Sequence, residues 1–478
     1  MKMKTLIYKP WVFPLLTFFL VFGEKCCAQI NFWGLSSSNS NDFGVIFRTD
    51  SVGGNYSDVF TFSDSLLGIK PFGSLIQATD GLLYGMTSEG GINNLGCIFS
   101  FNPQNLSYQK LYDFDGLNGA KPLGSLIEFQ GKLFGLSFEG GTINRGVVFA
   151  FEPNTGQFSK LADFEMGNGA NPYGSMLVFQ NKFYGLTSLG GVDGTGCLFE
   201  FDPQNNELQR KHSFIIGPSG NGYDPRGSLL KSSSGLLYGF SRFGQLGFQN
   251  GGGVLFKYDL NASVLNQFTP LHQFSDTAAH GVGGWELFGS PTEGLNGKIY
   301  GMTVKGGLDS AGSIFEYDPI TDSLQKIYDF QKSSDGFYPQ GSFIQASNGK
   351  LYAWTSSPGG QAKLFEFDIQ SRNMILKSNI TGTPYFGNLL ETTSAIISNS
   401  EHLQNRPLKL FPNPSRDFLK IQNCPENSKF QIYNSRAMLL KSGEIDEGLI
   451  YISDLDSGIY IIKISNGQIS YQHKFEKL

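Results

Sequence analysis

The 478-residue chain is poor in charge: Lys, Arg, Asp and Glu together make up 16% of it. Formal net charge is −5, and because four lysines and one glutamate fall in the first 28 residues, the rest carries −8. Without a basic stripe the chain is unsuited to nucleic acid or to anionic membrane surfaces. Cysteine is scarce too, with 5 in all, of which Cys97, Cys197 and Cys424 lie beyond the N-terminal segment. Three scattered cysteines provide neither a disulfide framework nor a metal-ligand spacing, so buried thiols are expected. The 5 histidines, His212, His272, His280, His402 and His473, form no H-E-x-x-H motif and no two-residue metal spacing. A G-x-S-x-G elbow, a Walker A loop and an EF-hand pattern are all missing, so no metal and no cofactor is expected. Helical periodicity is sustained nowhere, and no apolar run of membrane-spanning length follows the N-terminus.

Glycine and phenylalanine are abundant instead, with 61 and 43 residues. Such a chain can bury a large core and is neither disordered nor collagenous. The N-terminus itself is a basic stretch, an apolar run from Trp11 to Phe22, and Cys26-Cys27-Ala28. These three regions mark residues 1–28 as a signal peptide cleaved between Ala28 and Gln29, its apolar run being shorter than the ~20 residues that span a bilayer.

Four short elements then recur seven times each between Asn31 and Glu391, with a period of about 52 residues. One is an aromatic-glycine stretch, as in LYGMTSEGG from Leu83, LFGLSFEGG from Leu133 and IYGMTVKGG from Ile299. The second reads GCIFSF from Gly96 or GCLFEF from Gly196, and the third KLYDF from Lys110 or KIYDF from Lys326. The fourth reads FGSL from Phe72, LGSL from Leu123, YGSM from Tyr173 and RGSL from Arg226. Each is rich in aromatic and branched residues and bounded by Gly, Asn, Asp or Pro, which predicts strands joined by tight turns. Second elements that are apolar on both faces predict sheets sandwiched between sheets. The expected fold is therefore all-β: a seven-bladed propeller over 29–391. Strands near 31–37, 43–47 and 59–62 would share a blade with a last strand, 386–391, so that both ends close the ring. Two registers give seven blades, one with the GSL strand innermost and the L-x-D-F strand outermost, the other with strand 31–37 outermost.

Gly297 to Gly307 followed by Ile314 to Phe330 resembles the strand order of kelch repeats, without their Trp after the Tyr-Asp-Pro turn. The pattern of GSL, then LYG-x-T, then Gly-Gly resembles more closely the bacterial tandem repeats called GloVer. That resemblance implies a kelch-like propeller and almost nothing about chemistry.

A polar stretch, 392–407, reads as a linker, and 408–478 as a small antiparallel β-sandwich of about five strands. Pro412-Asn413-Pro414, Leu419 and Ile421, the Gly458-Ile459-Tyr460 stretch with Leu455 before it, and the closing Lys474 and Lys477 resemble the type A sorting domain of type IX secretion. The resemblance implies passage through the type IX machinery across the outer membrane of a Bacteroidetes-type bacterium, to the cell surface or beyond.

Candidate chemistry is sparse. Asp113, Asp163 and Asp329 recur before a Phe and read as turn caps, as do Asp202, Asp259 and Asp318. His212 and His272 share a repeat position and are expected to pack or hydrogen-bond there. Whichever register holds, the long loops emerge on one face, and the longest are 215–226, 242–252 and 275–288. That face nominates Arg145, Tyr223, Asp224, Arg226, Arg242, Phe243, His280, Trp285, Phe337 and Tyr338 as ligand-binding candidates, unless they merely cover the blade tops. Aromatic and Arg side chains together suit a polysaccharide or protein ligand. The expected function is an exported, monomeric, non-enzymatic binding propeller. An extracellular carbohydrate-active hydrolase or lyase is the alternative, supported by fold analogy and marked by two carboxylates roughly 5–9 Å apart. Finally, Asp-[Ser/Thr]-apolar triplets at Ser51, Ser65, Thr277, Ser310 and Ser323 resemble the O-glycosylation acceptor of Bacteroidetes-type exported proteins, although Asp-Ser is also common in turns.

Overall fold

The protein is described from a computed structural model over residues 29–38, 43–217, 221–244, 252–275, 284–356, 361–384, 387–394, 409–411, 417–422, 428–434, 439–445, 449–465 and 470–477. Regular structure there is almost wholly strand, with two three-residue 3-10 turns at 65–67 and 264–266. The chain divides into two compact units, one spanning 28–394 and one holding the C-terminal strands.

Within the first unit, seven antiparallel sheets follow one another among the described residues. The second sheet shows the plan: strands 76–77, 83–87, 97–101 and 108–113 lie side by side in chain order. These are the fourth, first, second and third repeat elements. The two middle strands are buried at every residue because neighbouring sheets cover both faces. The recurring glycine of the aromatic-glycine strand has a steric cause. Gly85 faces Phe99 across the ladder, and a Cβ there would lie 2.5 Å from the phenylalanine ring. Gly135 with Phe149 and Gly185 with Phe199 repeat the arrangement, so each glycine makes room for the ring opposite.

Packing between sheets is apolar and aromatic. Tyr112 stacks on Phe158 of the next sheet with ring centroids 3.9 Å apart, and Phe60 stacks on Tyr108 at 4.3 Å. One buried cluster lies between each consecutive pair of sheets, and one of them joins Tyr352, Trp354 and Leu364 of the seventh sheet to Phe32, Val45 and Phe47 of the first. The Gly-Ser elements touch in the same succession. A Cβ on Gly73 would meet the Gly124 carbonyl at 2.3 Å, Gly124 that of Gly174 at 2.4 Å, and so on through Gly227, Gly289 and Gly341 to Gly387, which meets Gly73 at 2.5 Å. Serine side chains reinforce this contact: the Ser74 N–H donates to Ser125 Oγ at 2.7 Å and the Asn388 N–H to Ser74 Oγ at 2.6 Å.

The first sheet draws on both ends of this unit: strand 29–36 pairs with 45–50 on one side and with 390–394 on the other. This corrects the expected boundaries. The returning strand runs to Ser394, so 392–394 belong to the sheet and not to a linker, held by the Thr392–Asn31 ladder pair and by Trp33 Nε1 donating to Thr392 Oγ1 at 2.9 Å.

In the C-terminal unit a three-stranded sheet (409–411, 418–422, 449–451) and a four-stranded one (429–433, 439–444, 458–465, 470–477) enclose one core that includes Leu419, Ile432, Ile450, Tyr460, Ile462 and Phe475. Among the described residues the unit has seven strands where about five were expected, the three-residue strands 409–411 and 449–451 being too short to show alternation.

Candidate functional site

Six of the seven repeats carry a residue in the left-handed conformation three positions before the glycine of the Gly-Ser pair: Lys70, Lys121, Asn171, Asp224, Glu286 and Tyr338, with φ between 50° and 60°. Such a backbone is uncommon for residues other than glycine, and a following proline fixes most of these turns. Here it places the side chain beside the end of the aromatic-glycine strand, where single bridges form: Ala120 with Glu139, Tyr223 with Phe243, Trp285 with Lys305.

In the second and third sheets this position holds a cation paired with an acid, Lys70 with Glu89 at 3.2 Å and Lys121 with Glu139 at 3.0 Å. The fifth and sixth sheets reverse the sign. Asp224 accepts from Arg226 Nε at 3.0 and 3.1 Å and from Arg242 Nη1 at 3.2 Å. Glu286, 8% exposed, pairs with Arg242 Nη2 at 3.5 Å and Lys305 Nζ at 3.3 Å. Arg242 therefore bridges two carboxylates. Its guanidinium lies 4.3 Å from the Phe243 ring centroid and 4.4 Å from that of Phe288, while Arg226 lies over Tyr173 at 4.9 Å and Phe288 at 5.5 Å. Lys305 sits over Trp285 at 4.4 Å. Both acids are engaged by cations; each arginine lies against two aromatic rings and Lys305 against one.

Beside this cluster is a cavity of about 600 Å³ lined by the Gly-Ser elements of several sheets together with Tyr173, Arg226, Phe288, Lys231 and Glu293. Glu293 accepts from the Ser233 N–H at 2.7 Å and its hydroxyl at 2.6 Å, and Lys231 lies 4.8 Å over Phe179.

The structure thus gathers Tyr223, Asp224, Arg226, Arg242, Phe243 and Trp285. Tyr223 and Phe243 are buried and stack at 5.1 Å, forming the floor of the cluster. Phe337 and Tyr338 pack on each other at the start of the seventh sheet, and Arg145 reaches Asn171 at 3.4 Å. His280 and Thr277 lie outside the described residues. Tyr173, Glu286, Phe288 and Lys305 join them; their signal in the sequence is a change of residue type at fixed repeat positions.

The remaining polar residues support structure. His212 stacks on Phe268 at 3.7 Å and lies 2.7 Å from Asn221 Nδ2; burial pushes its pKa down to about 4 against the opposing pull of that bond. Asp113 accepts from the Ile92 N–H and Asp163 from the Thr142 N–H, as turn caps. Asp50 and Asp64, which precede Ser51 and Ser65, also cap turns. Burial pushes the Cys97 and Cys197 thiols up to about 11. Among the described residues no three His, Cys, Asp or Glu side chains are grouped to hold a metal ion. In the C-terminal unit Leu419, Tyr460 and Lys477 are buried, Gly458 opens a strand and Lys474 lies on the last one, while Pro412, Asn413 and Pro414 are outside the described residues.

The family model of the Gloeobacter/Verrucomicrobia repeat matches residues 28–181 and 166–367. The chain belongs to that family. Residues 409–477 match the secretion system C-terminal sorting domain, which delivers proteins to the cell surface or the extracellular space and so implies contact with the secretion machinery. No helix among the described residues is long and apolar enough to cross a membrane. Comparison with curated proteins gives no match. Among solved structures, two candidate 6-phosphogluconolactonases are similar, from Bacteroides uniformis and Bacteroides fragilis. Each has a TM-score of 0.50, at 14% and 16% identity, over 75% and 76% of this chain and 97% and 98% of theirs. At that identity the likeness is one of fold, and the fold is a β-propeller.

Proposed function

We propose that the repeat sheets form a closed, seven-bladed propeller that acts as an exported, non-enzymatic, monomeric binding protein with a glycan or protein ligand on its long-loop face. The succession of Gly-Ser contacts from Gly73 to Gly387 and back supports closure. The bridge made by Arg242 carries the binding reading: both acids of the cluster, Asp224 and Glu286, are engaged by cations, and aromatic rings flank those cations. A glycosidase would need a carboxyl group held ready for proton transfer. In the same reading residues 1–28 are removed between Ala28 and Gln29, 395–407 link the two units, and Ser51, Ser65, Thr277, Ser310 and Ser323 accept glycans. Ser65 and Ser310 are exposed. The deciding experiment incubates the exported protein with a panel of polysaccharides and surface proteins while monitoring products. Retention without product, weakened by Arg242→Ala and Trp285→Ala, is expected; release of oligosaccharides would establish the hydrolase or lyase instead. Intact-mass measurement reads the cleavage and the glycans in one spectrum.

A further inference from the structure

We propose that the central cavity takes an acidic saccharide of one or two residues, its carboxylate held by the two Nη atoms of Arg226. The inference deepens the binding reading and rests on it.

Size and charge come first. About 600 Å³ falls within the range of small-ligand sites. The charged side chains on its lining are Arg226, Lys231 and Glu293, and Glu293 is already engaged by the Ser233 N–H and hydroxyl. Arg226 is paired with Asp224, whereas Lys231 has no acidic partner among the described residues, so the two lining cations can still receive an anionic group.

Geometry narrows the anion. Asp224 holds Arg226 through Nε, and among the described residues neither Nη atom has a hydrogen-bond partner. Tyr173 and Phe288 lie against the guanidinium and limit its rotation. A planar fork fixed in this way matches a planar carboxylate bidentately. Phosphate sites more often draw on clustered backbone N–H groups. Here those of Ser74, Ser125, Ser175, Ser228 and Ser290 each donate to the next serine's Oγ at 2.6 to 2.8 Å and are unavailable.

The serines also say what the rest of the ligand is. Each Oγ accepts one N–H and keeps its own proton, so Ser74, Ser125, Ser175, Ser228 and Ser290 present a row of hydroxyl donors to the cavity. A uronic acid, with one carboxylate and several hydroxyls, complements that lining.

Calorimetric titration of the full exported protein with digalacturonate, with galactobiose and with inorganic phosphate tests the assignment. Digalacturonate should bind, and galactobiose, its neutral counterpart, about tenfold more weakly or less. R226Q should lose about tenfold for the acid, with R226K intermediate because it keeps the charge without the fork. Thermal melts verify that the variants are folded, and the comparison of acid with neutral sugar needs no variant at all. Equal binding of the two sugars, full affinity in folded R226Q, or phosphate binding as well as digalacturonate would each overturn the inference. If digalacturonate fails while another ligand of the panel is retained and lost in Trp285→Ala, the binding reading survives without it. Silence across the whole panel ends both.

Discussion

The third sheet and the fifth and sixth sheets are built on one backbone and use it differently. Lys121 and Asp224 occupy the same left-handed position, with φ of 50° and 54°. In the third sheet a lysine there meets Glu139 in an isolated pair at the surface, its side chain 43% exposed. In the fifth an aspartate there draws two arginines inward onto Tyr173, Phe243 and Phe288. Reversing the sign at a fixed position transfers the cation from a solvated rim to an aromatic pocket. The repeat supplies the frame, and departures from the repeat change what is displayed on it.

The comparison breaks most readily at the shared frame. Gly124→Ala and Gly227→Ala each bring a Cβ to within 2.4 Å of a neighbouring carbonyl, one in the regular region and one in the variable region. Both should lower stability by about 3 kcal/mol in urea unfolding, and a large difference between them would show that the frame is not common. Arg242→Ala should cost about 2 kcal/mol, because it leaves Glu286 with Lys305 alone and Asp224 with Arg226 alone.

A smaller effect depends on pH. His212 titrates at about 4 when folded, below its unfolded value of about 6.5, so it contributes most above pH 6.5 and that stability is lost as pH falls toward 4. His212→Tyr, which copies Tyr112 from the regular region, should flatten unfolding midpoints compared at about pH 7.5 and about pH 5. Smallest of all, Lys121→Ala should shift stability by no more than about 0.5 kcal/mol, as expected of an exposed pair. A cost matching that of Arg242→Ala would erase the contrast between the regions.

Much of the strand pattern was legible in the sequence because its causes are local. Aromatic-glycine stretches, Asp at turns and tight Asp-Gly or Asn-Gly hairpins each leave a mark within a few residues. The sorting domain was legible for the same reason, apart from strands of three residues. The candidate site was legible in part. Tyr223, Arg226, Arg242 and Trp285 stand out as departures from the repeat, whereas Glu286 and Phe288 sit among ordinary-looking residues. Their roles depend on a charge reversal between sheets, which no single repeat displays. Phe337 and Tyr338 look equivalent to that group in composition but belong to the seventh sheet, where they pack on each other.

The strand at 390–394 also sets an order of events. Gln29–Trp33 pair with residues more than 350 positions later, and the Trp33–Thr392 bond spans 359. Until that late segment has emerged, the first sheet has three strands and an open edge, a template for pairing with other chains. Joining ends so remote carries a large loop-closure cost and should be among the last and slowest steps of folding. The sorting domain begins about fifteen residues further on, so the ribosome completes the latch just before it makes the address. A chain truncated before residue 390 would lack both.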